Sequence, residues 1–144
     1  MKVLIVNKSG YPLPEYATEG SAGLDLKAVL EQPVTLKPLE RAMIPTGLYM
    51  ELPLGCEGQV RPRSGLAHKQ GLTVLNAPGT VDADYRGEVR VVLVNLSNEE
   101  AKIHPGERIA QLVVAKHEQV DWQPVEQLSE TARGQGGYGS TGKS

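Results

Sequence analysis

The densest run of reactive side chains lies between Asn76 and Val89, where NAPGTVDADYRGEV sets Asp82, Asp84, Tyr85, Arg86 and Glu88 close together. A plain turn needs none of these groups, so the loop is over-equipped for connection alone. By residue type alone nothing separates Asp82 from Asp84. Leu72 to Leu75 lead in as a short strand, Val89 to Val94 lead out as a longer one, and Pro78-Gly79 begins the bend. A β-hairpin carrying chemistry on a rigid base is therefore expected. A solvated acidic loop is the plainer reading, and only the rest of the chain weakens it.

A second chemical segment is Arg61-Pro62-Arg63-Ser64-Gly65-Leu66-Ala67-His68-Lys69-Gln70-Gly71. Ser64 suits an N-cap and Gly71 a C′ position, which predicts one short helix. Its free N–H groups, with Arg63 and the Ser64 hydroxyl alongside, suit an anion such as phosphate; a connecting helix with incidental arginines is the alternative. Asp25 alternates with Leu24 and Leu26 and so faces solvent or a cleft. Gln111 offers an amide among the aliphatics of Gly106 to Val113, either to the sheet or to a water or phosphate oxygen.

The positioning elements must be mostly strands. Within 144 residues there are no phenylalanines, ten prolines and sixteen glycines, so the core is built from Val, Leu and Ile between frequent turns. Strands are expected at Lys2 to Val6, Leu24 to Lys27, Val34 to Leu36, Ala42 to Ile44, Leu48 to Leu52, Glu57 to Val60, Glu88 to Asn95 and Gly106 to Val113, with Ser97 to Lys102 as a polar turn. Such spacing suggests a sandwich, jelly roll or barrel. One domain over residues 1–128 is expected, followed by a glycine-rich arm over 129–144.

A net charge of −2 argues against a broad basic face for nucleic acid. Cys56 is the only cysteine, which excludes an internal disulfide, and His68, His104 and His117 lack ligand spacing. Met1 to Val6 is too short for a signal peptide or membrane span, so a cytoplasmic protein is expected. In the arm, Gly137 to Ser144 fits G-x-x-x-x-G-K-S, but a phosphate-binding P-loop needs a strand before it and a helix after it. The Walker reading is set aside, leaving a glycine segment able to wrap a polyanion.

Together these segments resemble the homotrimeric dUTPase family (deoxyuridine triphosphate nucleotidohydrolases). The resemblance rests on Ala22-Gly23-Leu24-Asp25-Leu26, Pro62-Arg63-Ser64-Gly65-Leu66-Ala67, Asn76 to Glu88, Gly106-Glu107-Arg108-Ile109-Ala110-Gln111-Leu112, and Arg133 to Gly142. Tyr138 stands where the family commonly has Phe or His; it still offers a π-face.

The resemblance implies a β jelly roll or distorted barrel with one short helix and a flexible C-terminal arm, assembled as a homotrimer with shared sites. It implies hydrolysis of dUTP to dUMP and pyrophosphate with Mg²⁺ as cofactor. Asp82 would be the base and Gln111 would stand near the α-phosphate or its water. Asp25 would touch Mg²⁺ through water, and Arg63, Ser64 and Gly65 would hold phosphates. Asn76, Gly79, Tyr85 and Val89 would read uracil, Tyr85 also excluding a 2′-hydroxyl. Arg133, Ser140, Thr141 and Gly142 would close over the γ-phosphate while Tyr138 stacks on the base. The alternatives are a dCTP deaminase-like enzyme of the same fold and a trimeric module that binds nucleotide without turnover.

Overall fold

The computed structural model describes residues 1–139. Its elements in chain order are β1 (Leu4–Asn7), β2 (Leu24–Lys27), β3 (Val34–Leu36), β4 (Arg41–Glu51), β5 (Cys56–Arg61), α1 (Ser64–Gln70), β6 (Leu72–Val74), β7 (Gly79–Val81), β8 (Glu88–Asn95), β9 (Ala101–Ile103) and β10 (Arg108–Lys116). The strands form two four-stranded sheets, β1-β4-β8-β6 and β2-β10-β5-β7, with β3-β9 as a small third; all pairs are antiparallel. This is the expected all-β architecture with one short helix.

Alternation writes the core. In β8, Val89, Val91 and Leu93 are buried while Arg90 is exposed, the period-two pattern of a strand with one inward face. From the other sheet, Leu26, Val60, Ile109, Ala110 and Leu112 join the same apolar cluster. Fully burying one such Leu, Val or Ile contributes about 1.5–3 kcal/mol, so this shared layer fixes how the two sheets sit. Asn95 and Thr46 are the polar exceptions among the described residues, and Asn95 is the more fully bonded. It is wholly buried, and its Nδ2 donates to Leu36 O at 2.9 Å and Glu99 O at 2.7 Å. Its Oδ1 accepts from Ser97 N and Ser97 Oγ.

Several expected boundaries differ, each for a local reason. The runs Ala42 to Ile44 and Leu48 to Leu52 are one strand, because β4 continues through Pro45 with a register shift between Pro45 and Tyr49. A bulge absorbs the proline and lets Gly47 take φ 68°. Residues 101–103 at the end of the supposed polar turn are β9, drawn into pairing with β3 by the burial of Ala101 and Ile103. The last strand starts at Arg108, since Gly106 has φ 76° and belongs to the preceding turn.

The helix also differs at its start. Arg63, in extended conformation, is the N-cap residue and Ser64 is the first helical residue; no side chain caps it. Gly71 ends it in the left-handed region at φ 65°, donating its N–H to Ala67 O at 3.2 Å. Among the described residues, no helix is long and apolar enough to cross a membrane.

Candidate active site

The expected hairpin forms, with β6 and β8 paired antiparallel and Val74 opposite Leu93, but its loop also bridges the two sheets. Within that loop β7 pairs with β5 of the other sheet, Gly79 opposite Val60. Local sequence cannot reveal this, because β7 is only Gly79-Thr80-Val81 and its partner lies about twenty residues upstream.

Strand β5 is therefore the common neighbour of the chemical segments. On one side Gln111 pairs with Arg61, and on the other Val60 pairs with Gly79. Gln111 also lies opposite Asp25 of β2, so Asp25, Gln111 and Arg61 form one row across the sheet. The chain then leaves β5 through Pro62 into Arg63, Ser64 and Gly65. Gln111 Nε2 donates to Pro62 O at 2.9 Å, which fixes the amide against that exit. Gly23 makes room for it: a Cβ there would overlap Gln111 Oε1.

Asp25 is held by two guanidiniums. Arg63 Nε donates to Oδ1 at 2.9 Å and Arg108 Nη1 to Oδ2 at 3.1 Å, while Arg63 Nη1 also donates to Arg108 O at 3.2 Å. Two cations against one carboxylate leave surplus positive charge beside Ser64 and Gly65, both exposed. Charge of that sign at a forked donor suits phosphate oxygens.

Among the described residues, no group of three or more His, Cys, Asp or Glu could hold a metal ion. That donor set fits a cation carried by a polyphosphate rather than one caged by protein. Each Asp25 oxygen, although engaged by an arginine, keeps a lone pair for a metal-bound water.

The bridge segment carries Asn76, Gly79, Asp82, Tyr85 and Val89. The Asn76 amide lies against Gly79, its Nδ2 3.2 Å from where a Cβ on Gly79 would stand. Val81 and Val89 are buried and Asp82 is exposed between them and Tyr85. Thr80, Asp82, Tyr85, Glu88 and Val89 line a cavity of about 240 Å³. Some backbone groups here are already engaged: Tyr85 N donates to Asp82 O at 3.1 Å, and Val89 O accepts from Thr46 Oγ1 at 2.5 Å. Asp84 and Asp82 are both exposed, so accessibility does not choose between them. Among the described residues, no hydrogen bond or ion pair joins Asp82 or Tyr85 to Asp25, Arg63 or Gln111.

In the arm, Arg133 Nε donates to Gly136 O at 2.7 Å inside a turn, and Tyr138 is fully exposed with φ 52°. Ser140, Thr141 and Gly142 lie outside the described residues. Sequence reasoning gave no role to Arg108 or Glu88. Glu88 accepts from Gly47 N and from Arg90 Nε, both at 2.9 Å, tying the bridge to the β4 bulge. The alternation Glu88-Val89-Arg90 placed the charged pair on one strand face, but only pairing reveals Gly47.

Comparison with known proteins gives the family and the fold. The dUTPase family model matches residues 10–142. A deoxyuridine 5'-triphosphate nucleotidohydrolase of Treponema denticola is 61% identical over 142 residues, covering 99% of each chain. The one from Finegoldia magna is 55% identical with the same coverage. Among solved structures, the dUTPase of Staphylococcus bacteriophage 80alpha with dUpNHpp superposes with a TM-score of 0.88 at 26% identity, covering 99% of each chain.

Proposed function

The chain belongs to the dUTPase family, an enzyme family that hydrolyses dUTP, and from that premise we propose how its residues perform the reaction. The observation that carries the reading is the position of β5, flanked by Gln111 on one side and Gly79 on the other. It gathers the phosphate segment and the base-reading segment at one end of one sheet.

Asp82 orients a water and takes its proton as the oxygen attacks the α-phosphorus; the bond to the bridging oxygen breaks, releasing dUMP and pyrophosphate. A positioned base of this kind contributes about 10²–10⁴-fold. Arg63, Ser64 and Gly65 bind phosphate oxygens, Arg63 being pre-oriented by its bond to Asp25. Gln111 holds the α-phosphate or the attacking water from its seat against Pro62. Mg²⁺, when bound with the substrate, neutralises phosphate charge, and Asp25 would hold it through its water.

Uracil is read at the bridge. Backbone groups around Gly79, Tyr85 and Val89, helped by the Asn76 amide, match its donors and acceptors, and cytosine would leave a buried partner unpaired. The Tyr85 ring, 44% exposed, presents a face on which deoxyribose fits and a 2′-hydroxyl does not. Arg133, Ser140, Thr141 and Gly142 close over the γ-phosphate and Tyr138 stacks on the base, excluding bulk water.

The unit of function is a homotrimer with sites shared between chains, acting in the cytoplasm. Apolar surface supports an oligomer: Val120 is 67% exposed, Trp122 84% and Leu128 87%, and β1 is exposed along its length. A lone chain leaves this area in water, whereas a neighbouring copy would cover it.

The deciding experiment follows phosphorus products by phosphorus NMR at stoichiometric enzyme, with ammonia assayed separately. Pyrophosphate and dUMP from dUTP are expected. Ammonia from dCTP would select a deaminase, and bound but unchanged dUTP a binding module.

A further inference from the structure

The Tyr85 ring is held by one hydrogen bond and lies in a space that a side chain would fill. Its Oη donates to Glu88 O at 2.9 Å, curling the phenol back over the turn. Between donor and acceptor sits Gly87. A Cβ on Gly87 would overlap Tyr85 Oη and would stand 2.5 Å from Cζ and 2.8 Å from Cε2, separations that real Cβ atoms essentially never show.

The glycine is not required by the backbone, because Gly87 is not among the glycines with positive φ. Only the ring requires it. The acceptor is itself anchored, since the Glu88 carboxylate receives Gly47 N and Arg90 Nε. Filling the space at Gly87 would displace the ring and break its hydroxyl bond.

We propose that Gly87 is a positioning residue for sugar selectivity: its bare Cα is the space in which the Tyr85 phenol lies, and filling it shifts the ring off the sugar site. The inference rests on the reading above, in which Tyr85 excludes a 2′-hydroxyl. An alanine here can be built on the same backbone but not beside the same ring. The ring must rotate outward and give up the bond to Glu88 O. A ribose then meets no obstacle, while the base-reading backbone and the phosphate segment are untouched. Selectivity of this kind depends on steric rejection, which fails when the wall moves by an ångström or so.

The test compares kcat/KM for dUTP and UTP, by pyrophosphate release, in the unmodified protein, Gly87→Ala, Tyr85→Ala and the double variant. Gly87→Ala is expected to lower the dUTP-to-UTP ratio by about tenfold or more, chiefly through improved UTP turnover, with kcat for dUTP kept within severalfold. Added to Tyr85→Ala, it is expected to leave the ratio where Tyr85→Ala set it, since the two act through one ring. An unchanged ratio in Gly87→Ala, or an equal fall without the ring, overturns the proposal. Should Gly87→Ala not fold, Tyr85→Phe removes the hydroxyl restraint alone. A ratio falling towards that of Tyr85→Ala supports the clamp, and one equal to the unmodified protein's overturns it. Failure of the underlying reading is separable: it appears as no pyrophosphate from dUTP in the unmodified protein.

Discussion

Arg63 Nε and Asp25 Oδ1 meet at 2.9 Å although 38 residues separate them in the chain. One stands at the start of the helix, the other in the middle of β2, and Arg108 of β10 closes on the second carboxylate oxygen. The contact couples the phosphate segment to the sheet that bears Gln111. It makes Asp25 an orienting group for arginine as well as a candidate partner of a metal-bound water.

Asp25→Asn is accordingly expected to lower kcat/KM for dUTP at least about tenfold, a loss of about 1.4 kcal/mol in transition-state stabilisation. Stability should fall by no more than about 1 kcal/mol, because the Asp25 and Arg63 side chains are 33% and 26% exposed and partly screened by water. Pyrophosphate release and urea unfolding on the same preparation check both halves.

For Asp82→Asn the expected loss in kcat is about 10²–10⁴-fold with nucleotide affinity kept. Asp84→Asn should cost far less. Calorimetric titration with a non-hydrolysable dUTP analogue, beside steady-state rates, would reveal an error here as near-normal turnover in Asp82→Asn.

Gly23→Ala places a Cβ onto Gln111 Oε1 and should push the amide away from Pro62 O. The expected result is roughly a tenfold fall in kcat with little change in KM. In a Gln111→Ala background the same substitution should have no further effect on rate.

Among the described residues, truncation after Thr131 removes no strand and no member of the apolar cluster, so the melting temperature should hold within a few degrees. Activity should fall by roughly two orders of magnitude through loss of the closing clamp. An unaltered rate would assign the arm no part in catalysis.

Asn95→Ala removes a partner from Leu36 O, Ser97 N and Glu99 O, the last keeping Ser97 Oγ. The Leu36 contact is the buried one, and its loss should lower unfolding free energy by roughly 1–3 kcal/mol. A shifted urea midpoint with an unchanged slope is the expected signature.

What the sequence by itself determined was everything carried by near neighbours. Alternation of Val89, Val91 and Leu93 wrote β8, Gly71 wrote the end of the helix, and glycine and proline spacing wrote an all-β chain. Residue types along five short segments were enough to indicate the family. Tertiary structure alone decided which segments meet. It paired β7, inside the loop of the hairpin, with β5, carried β4 through Pro45, made a strand of residues 101–103, and moved the helix cap from Ser64 to Arg63. It also paired Asp25 with Arg63 and Arg108, and emptied the space at Gly87 for Tyr85. The physical reason is that period and turn chemistry act over a few residues. Strand pairing and side-chain exclusion are settled by burial among groups tens of residues apart, and nothing in local spacing records which partner wins.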